Sequence, residues 1–249
     1  MYIRQTNSTS TLLREQYSDT LPDLYTIRTD YQSAGRGQEG NGWESEDGKN
    51  LLFSTLLRTE VQATEQFRLT MLVAVAMREM LAHYLPADRV TIKWPNDIYY
   101  GDKKLSGILV ENTLIGNRVA YSIVGIGLNV NQQVFASNAP NPVSMRQITD
   151  KEYDVAAMLD DYLEVLEKWQ TAPAETLRET YLSHLYRRTG LHPYIEREVS
   201  LVPTDIAQTA DGAFLAEILG ITPQGELILH KENGETKAYH FKQIRFVIA

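Results

Sequence analysis

The segment from residue 31 to residue 43, YQSAGRGQEGNGW, combines residue types that suit an anionic ligand. Its glycines let the backbone approach a ligand closely and adopt positive φ angles. Arg36 carries a planar, permanently charged guanidinium that matches a phosphate or a carboxylate, and Trp43 offers a flat surface for a purine ring. A glycine-rich segment by itself is more often a flexible surface loop. Its place in a long polar insert, residues 30–49, favours a functional loop.

A second candidate segment places lysines beside short apolar strands. It reads KWPNDI from residue 93 to residue 98 and KKLSGILVE from residue 103 to residue 111. Lysine is unusual there, because strands that enter a core seldom carry charge. An ammonium that points into a pocket can neutralise charge that develops on a phosphoryl or acyl oxygen. The alternative is that Lys103 and Lys104 form an exposed hairpin tip and are interchangeable.

A third segment, VGIGLNVN at residues 124–131, contains glycines inside an apolar strand. Such glycines mark a bulge or a close approach of another backbone. Tight packing against a helix would explain Gly125 and Gly127 equally well. Asn129 and Asn131 alternate with apolar residues, so both side chains are expected on one face of the strand.

Other catalytic constellations are missing from the sequence. The chain has no cysteine, which excludes disulfides and thiolate metal sites. Its five histidines show no metal-ligand spacing, and neither a G-x-S-x-G elbow nor a Walker-type P-loop occurs. The sequence therefore assigns no metal ligand.

Composition and charge limit the function classes. The chain has 249 residues, enough for one large domain and a small second one. A net charge of −8 argues against a dedicated nucleic-acid or anionic-membrane binder. The polar N-terminal sequence MYIRQTNSTSTLL lacks the apolar core of a signal peptide and leaves no room for a helix-turn-helix before the first candidate site. We therefore expect a cytoplasmic protein that binds neither nucleic acid nor membrane.

Hydrophobic periodicity predicts the elements that must position these segments. Helices are expected over residues 9–17, over residues 64–84, from residue 154 onward and after Pro173. Strands are expected at residues 24–29, 50–58, 90–94, 98–100, 105–115 and 118–130. The turn signals between the later strands favour antiparallel neighbours over βαβ units.

The pattern changes near residue 190. Beyond it only short alternating runs occur, at residues 198–202, 214–219, 227–230 and 244–248, with turn signals between them. These runs predict a small all-β barrel. The sequence thus predicts an α+β protein with two domains, residues 1–190 and residues 191–249.

Taken in order, these motifs resemble those of the biotin protein ligases. That family shows Y-Q-x-A-G-R-G closing on a tryptophan, then K-W-P-N-D, K-L-x-G-I-L-x-E and G-x-G-x-N. The chain has YQSAGRG with Trp43, KWPND at 93–97, KLSGILVE at 104–111 and GIGLN at 125–129. The resemblance implies a mixed, mainly antiparallel sheet with helices, the biotin/lipoate ligase fold related to class II aminoacyl-tRNA synthetases, with an SH3-like C-terminal barrel. The chain is similar to the monofunctional branch, which lacks a DNA-binding domain.

The resemblance also implies a reaction. Biotin protein ligases use ATP and Mg²⁺ to convert biotin to biotinyl-5′-AMP, and then transfer biotin to a lysine of a biotin carboxyl carrier protein. By similarity, Lys104, Arg36 and Asp97 are the catalytic residues. By the same similarity, the ligand-binding residues are Ser8, Thr9, Ser10, Gln32, Gly35, Arg36, Gly37, Gln38, Trp43, Asn96, Lys104, Gly107 and Asn129. A homodimer is also expected, since related enzymes often pair through the main sheet.

Matching positions imply a role for each group of residues. Residues 8–10 and Gln32 match biotin contacts, and residues 36–37 match the loop that orders over biotin and the adenylate. Trp43 matches the residue that stacks on adenine, and Lys104 matches the lysine that contacts the biotin carboxylate and the reacting phosphate. The positions that match the nucleotide side of the pocket are Asn96, Asp97, Gly107 and Asn129.

The chain also departs from the family pattern. Gln38, Glu39 and Asn41 stand where the family often has arginine or lysine, and Ser10 replaces an asparagine. Neither change removes the two candidate catalytic cations, so we expect activity with altered retention of the intermediate.

Two alternatives stay open at this point. A lipoate–protein ligase shares the fold and the chemistry, but its loop resembles R-R-x-x-G-G-G-x-V. The only double arginine of this chain, at 187–188, lacks such glycines. A non-catalytic biotin- or nucleotide-binding module is the other alternative. Lys104 and Arg36 count against it, because simple binding does not need both charges beside an anionic ligand.

Overall fold

The main sheet has eight strands in the computed structural model, which describes residues 1–38, 42–136, 141–197 and 212–248. These strands are β1 (Tyr2–Thr6), β2 (Thr26–Gln32), β3 (Leu51–Leu57), β4 (Val61–Gln62), β5 (Val90–Lys93), β6 (Asp97–Tyr100), β7 (Lys103–Ile115) and β8 (Arg118–Leu128). Their order is β1-β2-β3-β8-β7-β6-β5, with β4 also paired to β8. Only β1 and β2 are parallel. The predicted mixed, mainly antiparallel sheet is confirmed.

Five helices flank this sheet among the described residues. They are α1 (Thr9–Glu15), α2 (Phe67–Ala82), α3 (Met145–Thr149), α4 (Val155–Gln170) and α5 (Ala174–Ser183). The four predicted helices are confirmed. Asp154 caps α4 by accepting from the backbone N–H of Ala156 at 2.8 Å. The short α3 is not predicted by periodicity, and a capping box between Ser144 and Gln147 stabilises it.

Helices cover both faces of the sheet. On one face α1 packs over a small core of Leu13, Ile27, Leu56 and Ile123. On the other face, α2 with its neighbours α4 and α5 covers the main core. Because both faces are covered, every residue of β3, LLFSTLL, is buried.

Small residues leave a depression on the α1 face of the sheet. In the register of β3, β8 and β7, Ser54 lies opposite Gly125, and Gly127 lies opposite Gly107. A position without a side chain on a sheet face lets another group approach the backbone closely. The depression is where the candidate site forms.

The strand β1 is not predicted by the alternation of apolar residues. Its sequence YIRQT is largely exposed, and it forms an edge of the sheet through parallel pairing with β2. This strand forms through backbone pairing to β2 and not through burial of one face. Its side chains therefore show little of the alternation that would predict a strand.

The C-terminal part forms a separate five-stranded antiparallel sheet. Its strands are β9 (His192–Glu196), β10 (Ala213–Ile221), β11 (Leu227–Lys231), β12 (Thr236–Tyr239) and β13 (Ile244–Phe246). Their order is β12-β11-β10-β9-β13. The runs predicted at 214–219, 227–230 and 244–248 are confirmed, and the run at 198–202 lies outside the described residues. Neither β9 nor β12 is predicted, and the SH3-like barrel stays a prediction.

The two sheets share one hydrophobic core. Trp94, which follows β5, donates from Nε1 to the backbone oxygen of Gly225 at 2.9 Å. Arg188 donates to the backbone oxygen of Ile218 at 2.7 Å, and buried residues of both sheets form one cluster. No helix among the described residues is long and apolar enough to cross a bilayer.

Candidate active site

A cavity of about 190 Å³ opens beside the N-terminus of α1, over the depression in the main sheet. The turn before α1, the glycine-rich loop and the ends of β5 to β8 all contribute to its wall. Every predicted site residue except Gly35 and Asn129 lines this cavity: Ser8, Thr9, Ser10, Gln32, Arg36, Gly37, Gln38, Trp43, Asn96, Asp97, Lys104 and Gly107. Gly35 and Asn129 line an adjoining opening that shares Gln32, Trp43 and Lys104 with the cavity.

Hydroxyl groups form a buried network at one end of the cavity. Thr9 donates from its backbone N–H to Gln32 Oε1 at 2.8 Å, and its Oγ1 lies 2.7 Å from Ser54 Oγ. Ser10 Oγ lies 2.8 Å from the same Ser54 oxygen. Because each hydroxyl both donates and accepts, the network can orient its remaining donors and acceptors toward a polar ligand.

Two glycines of β8 are close-approach positions. A Cβ built on Gly125 would lie 2.4 Å from Ser10 Oγ, in α1, and one built on Gly127 would lie 2.3 Å from Trp43 Cε2. Both interpretations of the glycine pattern therefore hold in part. Gly125 accommodates a helix, and Gly127 accommodates the loop tryptophan.

Trp43 brings the loop down onto the sheet. Its backbone N–H donates to the Gly35 oxygen at 3.0 Å, and Arg36 and Gly42 form a β-bridge. The indole lies against Gly107 as well, where a Cβ would be 2.7 Å from Trp43 Cζ3. Its Nε1 is buried and has no hydrogen-bond partner in the described part of the chain. The described ends of the loop therefore form part of the cavity wall.

Lys104 and Asp97 form an ion pair in the cavity wall. Lys104 Nζ lies 2.7 Å from Asp97 Oδ1, and the two side chains are 26% and 23% exposed. The backbone of Lys104 donates to the oxygen of Asn141 at 2.7 Å. Lys103 is exposed and does not line the cavity. The hairpin-tip interpretation thus describes Lys103 but is wrong for Lys104, and the two lysines are not interchangeable.

Lys93 is a second lysine in the cavity lining, on the side next to the C-terminal sheet. Burial lowers the pKa of Lys93, although Asp97 nearby opposes this shift, and Lys104, Arg187 and Arg197 add to it. Within the described ranges, Lys93 has no acidic partner within ion-pair distance. Its Nζ lies 4.9 Å from the ring centroid of Phe246. Lys93 and Lys104 both line the cavity, whereas Arg187 and Arg197 lie outside its lining.

The two predicted asparagines donate to the backbone. Asn96 is buried, and its Nδ2 donates to the oxygen of Ile108 in β7. Asn129 Nδ2 donates to the oxygen of Val143 at 3.1 Å. These bonds hold the ends of the strands around the cavity, and contact of either amide with a nucleotide stays a prediction.

The sequence pattern of the biotin/lipoate A/B protein ligase family matches residues 2–129. The chain belongs to the biotin/lipoate A/B protein ligase family. The matched residues supply the whole lining of the cavity except Phe241. The motifs that predicted this ligase family therefore come together in one place.

Similar proteins and structures agree with the ligase family. The bifunctional ligase/repressor BirA of Bacillus spizizenii is 30% identical over 239 residues, which is 94% of this chain and 70% of that protein. The biotin–[acetyl-CoA-carboxylase] ligase of Paracoccus denitrificans is 30% identical over 208 residues, which is 82% of each chain. The biotin protein ligase from Aquifex aeolicus in complex with biotin and ATP superposes with a TM-score of 0.73 at 22% identity, over 99% of this chain and 98% of that one. The predicted ligase fold is confirmed.

Sequence reasoning assigns no role to three residues at or beside the cavity: Ser54 in the hydroxyl network, and Lys93 and Phe241 in the cavity lining. Ser54 is a polar residue inside the apolar run LLFSTLL, which was a usable signal. Lys93 is an unusual charge at the start of an apolar segment, and the family resemblance assigns it no role. Phe241 reaches the cavity from beyond β12 and packs on Trp94 with ring centroids 6.1 Å apart. No local pattern identifies Phe241, because only the packing of the two sheets brings it there.

Proposed function

We propose that this protein is a biotin protein ligase. It activates biotin with ATP to biotinyl-5′-AMP and transfers the biotinyl group to a lysine of a biotin carboxyl carrier protein. The observation that carries the proposal is the convergence of Lys104, Asp97 and Arg36 on one cavity with a buried hydroxyl network. The ligases that are 30% identical to this chain over their aligned residues support the choice of biotin.

The cavity suits the first half-reaction. A biotin carboxylate oxygen attacks the α-phosphorus of ATP, the bond to the bridging oxygen breaks, and pyrophosphate leaves. Negative charge accumulates on the phosphoryl oxygens, and we assign its stabilisation to Lys104 and Arg36, which line the cavity and could each contribute on the order of several kcal/mol. Lys93, which lines the same cavity as Lys104, is a further candidate to contact the phosphates. The hydroxyls of Thr9 and Ser10 suit the polar ureido ring of biotin.

A Mg²⁺ ion would enter with its nucleotide. Among the described residues, no group of three or more histidine or acidic side chains is placed to hold a metal. The carboxylate of Asp97 already pairs with Lys104. Because Mg²⁺ binds through one or two carboxylates plus substrate phosphates, the residues present fit an ion carried on ATP rather than a resident metal site.

The second half-reaction requires that the lysine amine of the carrier is deprotonated. It also requires that the mixed anhydride is protected from hydrolysis by water. The carrier lysine attacks the acyl carbon of biotinyl-5′-AMP, the bond from that carbon to the phosphate oxygen breaks, and AMP leaves. Asp97 is the candidate that accepts or orients the proton of the amine. Trp43 is the candidate surface for adenine, and the loop that it anchors would restrict water.

An exchange assay tests the proposal. Purified protein is incubated with ATP, labelled pyrophosphate and either biotin or lipoate, and then with a biotin carboxyl carrier domain. We expect label in ATP only with biotin, followed by biotin on the carrier lysine. Pyrophosphate exchange with lipoate but not with biotin would favour a lipoate–protein ligase. Biotin binding without any exchange would favour a non-catalytic module.

Several broader features are part of the same proposal. We place the enzyme in the cytoplasm, without a nucleic-acid or membrane partner, and divide it into a catalytic domain of residues 1–190 and a C-terminal domain of residues 191–249. A homodimer would use the main sheet, and β1 offers an exposed edge for strand pairing. Sedimentation of the purified protein tests the dimer.

A further inference from the structure

The last residue of the KLSGILVE motif, Glu111, is the centre of a three-residue ion cluster. Arg36 donates to both of its carboxylate oxygens, with Nη2–Oε2 at 2.8 Å and Nη1–Oε1 at 3.2 Å. Arg14, in α1, lies with Nη2 at 2.9 Å from Oε1. Glu111 therefore connects β7, α1 and the glycine-rich loop through one carboxylate.

Glu111 acts on the site without lining it. In β7 it lies on the same face as Gly107 and Leu109, because alternate residues of a strand share a face. Gly107 and Leu109 line the cavity, whereas Glu111 does not. Glu111 thus lies just outside the cavity lining, where it contacts Arg36, a residue that lines the cavity.

The pair restricts an otherwise mobile side chain. A free arginine loses rotamer entropy when it is fixed, whereas a two-point bond to a carboxylate sets the plane of the guanidinium in advance. Arg36 has five N–H donors, of which Glu111 uses two. The remaining donors stay available for an anionic ligand in the cavity.

Arg14 adjusts the charge of the cluster. A lone Arg36–Glu111 pair would be neutral and would attract an anion weakly. With Arg14 on the same carboxylate, two positive groups and one negative group leave the cluster with one net positive charge. The cluster can therefore orient Arg36 and still favour an anionic intermediate.

We propose that Glu111 is a positioning residue that holds the glycine-rich loop against β7 through Arg36, and that Arg14 keeps this contact cationic. The idea rests on the proposed function for its effect on the adenylate, but the loop contact itself does not. It gives a role to the final glutamate of the motif. It also supplies a loop anchor in a chain that has Gln38 where the family often has a cation.

Chymotryptic cleavage after Trp43, followed by mass spectrometry without any ligand, tests the contact itself. Glu111→Gln keeps the shape of the side chain but removes its charge, and should speed this cleavage by about fivefold, the size of effect expected from one well-aligned, partly exposed ion pair. Arg36→Gln should do the same, and the double variant should cleave no faster than either single variant. Glu152→Gln, which removes the exposed partner of Arg146, is the matched control and should behave as the parent.

The same variants in the exchange assay test the effect on the site. Glu111→Gln should raise the KM for ATP and the biotinylation of bystander lysines about fivefold with little change in melting temperature. Arg14→Gln should raise the KM but not the cleavage rate. Effects of Glu111→Gln and Arg36→Gln that add in the double variant, or cleavage unchanged in Glu111→Gln, would overturn the proposal. If the parent protein shows no exchange with biotin, the proposed function fails while the cleavage result still decides the loop contact.

Discussion

Replacing Lys104 with methionine removes the ammonium closest to Asp97 while keeping a long apolar side chain. In the parent protein Nζ lies 2.7 Å from Asp97 Oδ1 and 5.8 Å from the ring centroid of Trp43. The backbone of Lys104 is held by the oxygen of Asn141 and by the N–H of Val143, and the substitution leaves both bonds in place. The variant should therefore keep its fold and lose its charge.

The structure separates the expected cost in stability from the cost in rate. A partly exposed ion pair contributes about 0–1 kcal/mol, so the free energy of unfolding should fall by no more than about 1 kcal/mol. That corresponds to about 2–4 °C in melting temperature for a chain of this size. Loss of one neutral donor at a developing anion already costs about 10²–10³ in rate. Loss of a full charge also leaves Asp97 to repel the phosphate, so we expect a larger decrease.

The measurements are pyrophosphate exchange with saturating biotin and a thermal melt on the same preparation. Lys103→Met is the matched control, because Lys103 is the exposed neighbour that does not line the cavity, and it should exchange at the parental rate. If Lys104→Met kept its exchange rate within about tenfold of the parent, the reasoning would fail, since even a neutral donor should cost more. A large decrease in the exchange rate of the Lys103→Met variant would also refute the reasoning.

Three further predictions concern the loop, the sheet face and the C-terminal part. Trp43→Ala should increase bystander biotinylation more than Gln38→Ala, because stacking on a base is worth about 1–3 kcal/mol, and equal leakage would contradict this. Gly127→Ala should lower activity with little change in melting temperature, because its Cβ would lie 2.3 Å from Trp43 Cε2 and displace the indole. Hydrogen bonds to the Glu196 carboxylate, of which the one from Lys231 has the largest effect, lower the pKa of Glu196 from its ordinary 4.5 to about 2. This stabilisation is present above pH 4.5 and is lost as the pH falls toward 2, so chemical denaturation should show the stability gap between the parent and Glu196→Gln narrowing over that interval.

Local sequence determines much of the architecture. The stripes of α2 and α4 and the apolar runs of β3, β7 and β8 are read within one element, because periods of 3.6 and 2 residues depend only on nearby positions. The family motifs are likewise continuous stretches of chain, so they predict the ligase family and most of the cavity lining.

The family motif singles out Lys104 over Lys103, and the register of the sheet gives the physical reason why only Lys104 lies beside Asp97. Adjacent residues of a strand point to opposite faces, so one of the two lysines must face away from the cavity. Lys104 is paired with Tyr99, which shares a face of β6 with Asp97, whereas Lys103 is paired with Tyr100 on the other face. Residue type alone cannot show which lysine faces Asp97, because a shift of one position in the pairing reverses every side chain of a strand.

The contacts that complete the site were decided by tertiary structure alone. Ser54 joins the hydroxyl network from 44 positions beyond Ser10, and Glu111 lies 75 positions from Arg36. Phe241 comes from the second sheet. The sequence by itself determined which residues could do the chemistry, since residue type is local. It could not determine which of them meet. A contact between distant positions depends on strand order and sheet packing, and no single segment of the chain specifies either of these.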